Sequence, residues 1–271
     1  MIDAHVHIWR LGRNGCTWPP PDLTAIHRDH DLTDVARMTA GTGVEHVVLV
    51  QSQESEDDTA WLLAEAAASP VVAGVVGWID PAAIDVRARV DRFQRQGPLV
   101  GLRVMAQDRP PEWLVDPALH DLMRHLDEAE LALDLLIRPQ HLPASVGLAA
   151  RFPGLRMIID HCAKPRIASD GLDAWREAIA PAAEQPNMMC KLSGLITEAA
   201  PGEPIEILAP YVEAALGLFG PARLVWGSDW PVLNLNGTYR DWLDFAHSMI
   251  PTADQAAVFG GNARAFYRLN A

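Results

Sequence analysis

IDAHVHIWRLGRNG, residues 2–15, decides between two folds. Its first half alternates, with Ile2, Ala4 and Val6 set against Asp3, His5 and His7. A strand turns successive side chains to opposite faces, so the pattern predicts a strand over Ile2–His7 with both histidines on one face and the apolar set on the other. The second half lacks the GxGxxG turn that opens a doubly wound, nucleotide-binding sheet. The two imidazoles either meet water at the polar face of an edge strand or are offered together to one enclosed space. The rest of the chain chooses.

Seven further short runs rich in Val, Ile and Leu follow, at 46–51, 71–78, 99–104, 131–137, 156–161, 188–194 and 223–229. Runs of this kind fit strands covered on both faces. Helical patterns lie between them. In DPALHDLMRHLDEA, residues 116–129, Leu119, Leu122, Met123 and Leu126 recur at i, i+3, i+4 and i+7, with Asp116 at the N-cap and Pro117 at the first helical position. Val212, Ala215, Leu216 and Phe219 form a second stripe, stopped by Gly220–Pro221. Further helices are predicted over 33–42, 56–68, 84–96, 142–152, 172–184, 239–249 and 253–268. Eight strands alternating with helices predict an α/β fold, a single (β/α)8 TIM barrel with residues 1–271 as one domain. An open doubly wound sheet is the alternative.

Bulk properties narrow the function. A net charge of −13 argues against nucleic acid and against an anionic membrane surface. The longest apolar runs, such as Val71–Ile79, are too short to span a bilayer, and the N-terminus has no signal-peptide pattern. Cys16, Cys162 and Cys190 are odd in number and scattered, which suits free thiols in a reducing cytoplasm. Hydrophobic content of 49% supplies a large core.

Active sites of such barrels sit at the C-terminal ends of the strands. His5 and His7 end the first strand, Gln51 the second, and Trp78 with Asp80 the third. Arg103 lies on the fourth and Arg138 follows the fifth. His161 ends the sixth, with Lys164 beyond. Lys191 and Ser193 lie on the seventh, and Asp229 ends the eighth. The HxH pair therefore faces the barrel mouth. Asp160, of opposite parity to His161, is expected to brace the strand–helix layer, and the remaining histidines, His30 and His141 among them, to be solvated. Arg103 is costly to bury unpaired, so it meets a polar ligand or a carboxylate. Three histidines and an aspartate suit one divalent ion, zinc foremost, with an open position for water. The same residues also work without metal, the aspartate taking a proton from water while imidazoles and an arginine polarise a carbonyl. Both schemes point to hydrolysis at a carbonyl.

HVH at 5–7, DHCAKP at 160–165, KLSGL at 191–195, GSDWP at 227–231 and GGNARAFYRL at 260–269 together resemble the amidohydrolase superfamily, in particular its lactonase-like branch. The resemblance runs from residue 2 to residue 269. It implies a (β/α)8 barrel that opens a lactone ring, with His5, His7, His161 and Asp229 around a single metal or its vestige. Asp229 would then be the general base. Arg103 and Lys191 stand where metal-rich members carry further ligands, so a two-metal centre is not expected and even one ion is dispensable. Two carboxylates on a pyrone substrate would need several arginines. Gln51, Lys164, Lys191 and Asn262 with Trp9, Trp18, Trp78, Trp226 and Trp230 suit instead a neutral sugar aldonolactone. Arg103, Gln51, Trp78, Lys164, Lys191, Trp9 and Trp230 are the expected substrate contacts. The prolines of TWPPPDL, residues 17–23, would stiffen a wall over the mouth. A metal-dependent decarboxylase and a non-catalytic sugar-binding barrel are the alternatives. A homo-oligomer, as barrels often form, is compatible with either.

Overall fold

A computed structural model describes residues 1–169 and 171–270. Eight strands pair side by side in chain order: β1 (Ile2–Val6), β2 (His46–Val50), β3 (Val72–Gly77), β4 (Leu99–Met105), β5 (Ala132–Leu136), β6 (Met157–Ile159), β7 (Met188–Leu192) and β8 (Leu224–Trp226). Every pairing is parallel. The chain just past β8 closes the ring on β1. Asp229 N–H donates to the His5 carbonyl at 2.9 Å, and His7 N–H donates to the Trp230 carbonyl at 2.7 Å. The expected barrel is what forms.

Helices α1 (Leu32–Thr39), α2 (Glu56–Ala67), α3 (Val86–Gln94), α4 (His120–Glu128), α5 (Leu142–Arg151), α6 (Leu172–Ala183), α7 (Ala209–Phe219) and α8 (Tyr239–Met249) stand in the connections. Side-chain caps start several of them: Asp31 for α1, Ser55 for α2 and Thr238 for α8. Asp116 does cap its segment, accepting from Ala118 N–H at 2.9 Å, but the first turn it caps is a tight 3₁₀ turn ahead of α4. The helix predicted over 253–268 is broken into α9 (Thr252–Ala256) and α10 (Asn262–Tyr267). A π-helical turn, Ala257–Gly261, joins them, its backbone departing from helical geometry at Phe259 and Gly260.

Apolar side chains form two layers. Val47, Leu49, Val75, Leu102 and Leu133 face outward into the large strand–helix core. Ile2, Ala4, Val48, Val50, Ala132, Ile158 and Val225 fill the lower barrel and rest on Phe266, Tyr267 and Leu269 of the C-terminal segment. That segment plugs the N-terminal end of the barrel and leaves the opposite end for chemistry.

β1 breaks the alternation predicted for it. Asp3 pairs with Val47 but Val6 pairs with Leu49, so three steps of β1 match two of β2. Such a bulge flips the parity of everything after it. Ile2 and Ala4 lie inside the barrel and Val6 and Ile8 outside, so Val6 does not share a face with Ala4. His5 and His7 join Ala4 inside. Asp3 is turned to the outside of the barrel, where it accepts from Ser228 N–H at 2.8 Å and His5 N–H at 3.2 Å and ties β1 to the end of β8.

Candidate active site

Four side chains converge above the barrel's apolar floor. Asp229 Oδ1 lies 3.3 Å from His7 Nε2, 3.7 Å from His5 Nε2 and 3.8 Å from His161 Nε2. The Nε2 atoms of His5 and His7 stand 3.1 Å apart. All four residues are buried.

Backbone strain sets two of them in place. His161, Cys162, Ala163 and Lys164 form one left-handed turn with φ of 53°, 51°, 59° and 53°, and Asp229 has φ 62°. Each such non-glycine residue costs about 1–2 kcal/mol, so the surroundings must hold it. Trp175 Nε1–H donates to the Cys162 carbonyl at 2.8 Å, and Lys164 N–H donates to the His161 carbonyl at 2.7 Å. The turn brings His161 and Lys164 to one cleft. Two glycines make the room: a Cβ on Gly194 would lie 2.5 Å from His161 Nδ1, and one on Gly227 would lie 2.7 Å from His5 Cβ.

Charge in the cluster follows from burial against pairing. Burial pushes the Asp229 carboxyl up, but the imidazoles of His161, His7 and His5 outweigh it and hold the carboxyl well below the usual range. Burial lowers His161 to about 4, against the pull of Asp229 and Asp160. His5 is lowered well below its ordinary value by burial and then by Lys191. At neutral pH a carboxylate thus faces two neutral imidazoles, His5 and His161.

Beneath this cluster lies a charged layer that sequence reasoning missed. Lys191 Nζ is 2.6 Å from Asp134 Oδ2, 2.9 Å from Asp160 Oδ1 and 3.1 Å from His5 Nδ1. Tyr267 of the barrel plug donates its hydroxyl to Asp134 at 2.8 Å. The signal for Asp134 was present, as the one acid in LALDLLI at 131–137. Asp160 is also inside, not in the strand–helix layer. Ile158 is an interior residue, so strand parity carries Asp160 inward, and it is His161 that reaches the mouth only through the left-handed turn.

The cleft above has a volume of about 470 Å³. His7, His161 and Asp229 form its floor, and Arg103, Lys164, Gln53 and Trp18 are among its walls. Of the expected substrate contacts, Arg103 and Lys164 reach it. Gln51 is fully buried and its carbonyl accepts from Arg103. Lys191 lies below His5. Trp9 is fully buried with its indole N–H on the Arg28 carbonyl, and Trp230 packs edge-on against His30. Trp78 is half-buried at the end of β3, its backbone N–H donating to Thr59 Oγ1. The first connection does supply a wall, through Thr17 and Trp18. Asn262 sits at the far end of the barrel, its amide donating to the Pro221 and Leu224 carbonyls. His30 and His141 are buried, not solvated. His30 is wedged between Trp9 and Trp230, and His141 is tied to the Arg109 carbonyl at 2.9 Å.

One atom each from His5, His161 and Asp229 falls within a 4.8 Å group, the spacing of a metal-ligand set. Ligands at about 2.1 Å from a tetrahedral ion stand about 3.4 Å apart, close to the separations above. The proton order agrees less well. His7 Nδ1 lies 2.7 Å from the Val50 carbonyl, so that nitrogen carries a proton and Nε2 is the atom turned to His5 and Asp229. His5 Nδ1 faces an ammonium, so its proton sits on Nε2, and His5 does not fit a ligand role. No helix among the described residues is long and apolar enough to cross a membrane.

A parallel barrel with three histidines and an aspartate at its mouth defines an amidohydrolase, and the chain belongs to that family: the Amidohydrolase family model matches residues 2–269. It is 42% identical to the L-fucono-1,5-lactonase of Burkholderia ambifaria, over 99% of this chain and 96% of that relative. A second L-fucono-1,5-lactonase, from Burkholderia multivorans, is 31% identical over 99% of this chain and 96% of its own. The solved structure of an amidohydrolase from Burkholderia multivorans with bound zinc superposes with a TM-score of 0.93 at 31% identity, covering 99% of each chain. The superfamily and its lactonase-like branch, expected from five short motifs, are borne out.

Proposed function

We propose that this amidohydrolase hydrolyses a neutral sugar aldonolactone, L-fucono-1,5-lactone or a close stereochemical relative, to the free sugar acid. The observation that carries the substrate class is that the cations of the cleft and its rim each have a carboxylate partner already. Arg103 lies 3.6 Å from Asp160, Lys164 3.1 Å from Glu198, Arg138 3.6 Å from Asp108 and Arg109 2.9 Å from Glu54. A dicarboxylate, or the acid substrate of a decarboxylase, needs cations free to clamp it. A neutral polyol ring needs paired donors and acceptors with an aromatic wall, as Gln53, Lys164, Glu54 and Trp18 provide.

In this reading Asp229 takes a proton from water as the water oxygen bonds to the lactone carbonyl carbon. Arg103, with the histidine cluster, stabilises the charge that gathers on the carbonyl oxygen. Collapse of the tetrahedral intermediate breaks the ring C–O bond, and the alkoxide takes the proton from Asp229. The aldonic acid then ionises, releasing one proton per turnover. His5 is a hydrogen-bond donor here, and the reaction needs no resident ion. A divalent ion, were one bound, would supply Lewis-acid polarisation.

A pH-indicator assay against a panel of aldono-1,4- and 1,5-lactones, with and without a chelator, tests the reading. Acid release from L-fucono-1,5-lactone or a near relative, undiminished by chelation, is expected. No acid from any lactone would overturn it. Loss of activity on chelation would overturn the metal-free mechanism alone.

A further inference from the structure

Lys191 does not reach the cleft, and the reaction above gives it no part. Its surroundings nevertheless fix where protons lie, because the chain of contacts has two unambiguous ends. An ammonium only donates, and a carbonyl only accepts. Lys191 Nζ donates to Asp134 Oδ2 at 2.6 Å and contacts His5 Nδ1 at 3.1 Å, while Asp160 Oδ1 pairs with the ammonium at 2.9 Å by charge, outside hydrogen-bond geometry. His5 Nδ1 is therefore an acceptor, and the His5 proton is on Nε2, 3.1 Å from His7 Nε2. His7 in turn donates through Nδ1 to the Val50 carbonyl at 2.7 Å. Lys191 thus donates to His5, His5 to His7, and His7 to the Val50 carbonyl, in one direction only.

That direction opposes metal ligation. A histidine that binds an ion through Nε2 usually donates its Nδ1–H to a carboxylate, carbonyl or water. A carboxylate is at hand, with Asp160 Oδ1 3.5 Å from His5 Nδ1, but the ammonium occupies the nearer position. We propose that Lys191 is a positioning residue that locks His5 in its Nε2–H tautomer, so that His5 donates toward His7 and the cleft, and that this ammonium keeps the His5–His7–His161–Asp229 cluster from binding a divalent cation tightly. With Lys191 gone, Asp160 can accept from His5 Nδ1–H, and the Nε2 lone pair of His5 turns to the space beside Asp229. The argument rests on the geometry of the site and holds whichever lactone is the substrate.

The test reads tautomer and zinc affinity. Ring nitrogen–proton correlation spectra of the ¹⁵N-histidine-labelled protein should show His5 protonated on Nε2 and bare on Nδ1, its signals assigned by their loss in His5→Gln. Zinc titration in competition with a chromophoric chelator compares the wild type with Lys191→Met/Asp134→Leu, which removes one charge of each sign. The double variant should bind zinc about 10–100-fold more tightly, the size of a gained outer partner. Lys191→Gln is the second variant and should move affinity in the same direction. Unchanged zinc affinity in folded variants would mean that Lys191 only supports the barrel, and would overturn the proposal. So would a wild-type His5 protonated on Nδ1, a result that requires no Lys191 variant. Lactone hydrolysis measured alongside stands or falls separately.

Discussion

Asp229 combines three properties that together suit a base placed by geometry: a left-handed backbone, near-complete burial and three imidazoles around one carboxylate oxygen. Its depressed pKa makes it a weak base in equilibrium terms, but keeps it ionised throughout the working range. Position beside the attacking water then compensates for basicity. Asp229→Asn should lower kcat by about 10²–10⁴-fold, the usual worth of a general base, with an unchanged circular dichroism spectrum. Turnover within a few-fold of wild type would remove Asp229 from the role. The pH profile gives a second check. His161 is held down to about 4 and Asp229 lower still, so neither changes charge as pH falls from 7 to 5. The acid limb of kcat/KM should therefore lie near 4, and a limb at 6 to 7 would show that His161 titrates at its ordinary value.

Among the elements, the left-handed turn at 161–164 carries the most strain and the most consequence. Its braces are specific. Trp175→Phe removes the indole N–H that the Cys162 carbonyl accepts at 2.8 Å and leaves a buried carbonyl unpaired. About 1–3 kcal/mol of stability should be lost in urea unfolding. Lactone hydrolysis should fall as well, because His161 and Lys164 sit at the ends of the same turn. Full activity in the variant would mean that the turn holds its shape unaided. The contrast between this turn and the strands shows what a sequence can disclose. Strand positions follow from short runs of Val, Ile and Leu, and His5, His7, His161 and Asp229 follow from their places at strand ends. Facing depends on parity, and one extra residue reverses it. The bulge between Asp3 and Val6 and the four left-handed residues after Asp160 leave no mark in an apolar/polar pattern, so Val6 and Asp160 are each read onto the wrong face. Tryptophans mislead for another reason. Trp9 and Trp230 lie close to the mouth in sequence, yet large aromatic rings are buried by default, and these pack around His30.

At the scale of the whole barrel, the least legible contacts are those outside the strand-end pattern. Tyr267 meets Asp134 across 133 positions, and no local pattern foretells that a C-terminal segment will plug the barrel and complete a charged layer inside it. The cost of burying so many ionisable groups shows in how stability responds to pH. His30 and His161 are held at about 4 by burial, so the unfolded chain takes up protons near 6.5 that the fold refuses, and acidification from 6.5 to 4 draws stability down. Asp3, pushed by burial to about 6, and Asp58, pushed to about 7, act with the opposite sign. They hold protons in the fold that the unfolded chain has lost above its carboxylate range, so stability falls as pH rises from 4 to 7. Over that window the two trends oppose each other. Below 4 the balance ends, because Asp229 and Asp160 are held low in the fold against burial and must be protonated only there. The unfolding temperature should therefore vary little between pH 7 and 5 and drop steeply below 4. Asp58 tests the compensation directly. It is buried at the start of α2, with Ser52 N–H 3.3 Å from Oδ2 and no hydrogen-bond partner for Oδ1. Asp58→Asn abolishes the ionisation, and should stabilise the protein at pH 8 by on the order of 4 kcal/mol, a gain that shrinks toward pH 4. Calorimetric scans of the two proteins from pH 4 to 8 measure it. A difference independent of pH would show that Asp58 stays ionised in the fold, leaving the acid-side loss from the histidines without its counterweight.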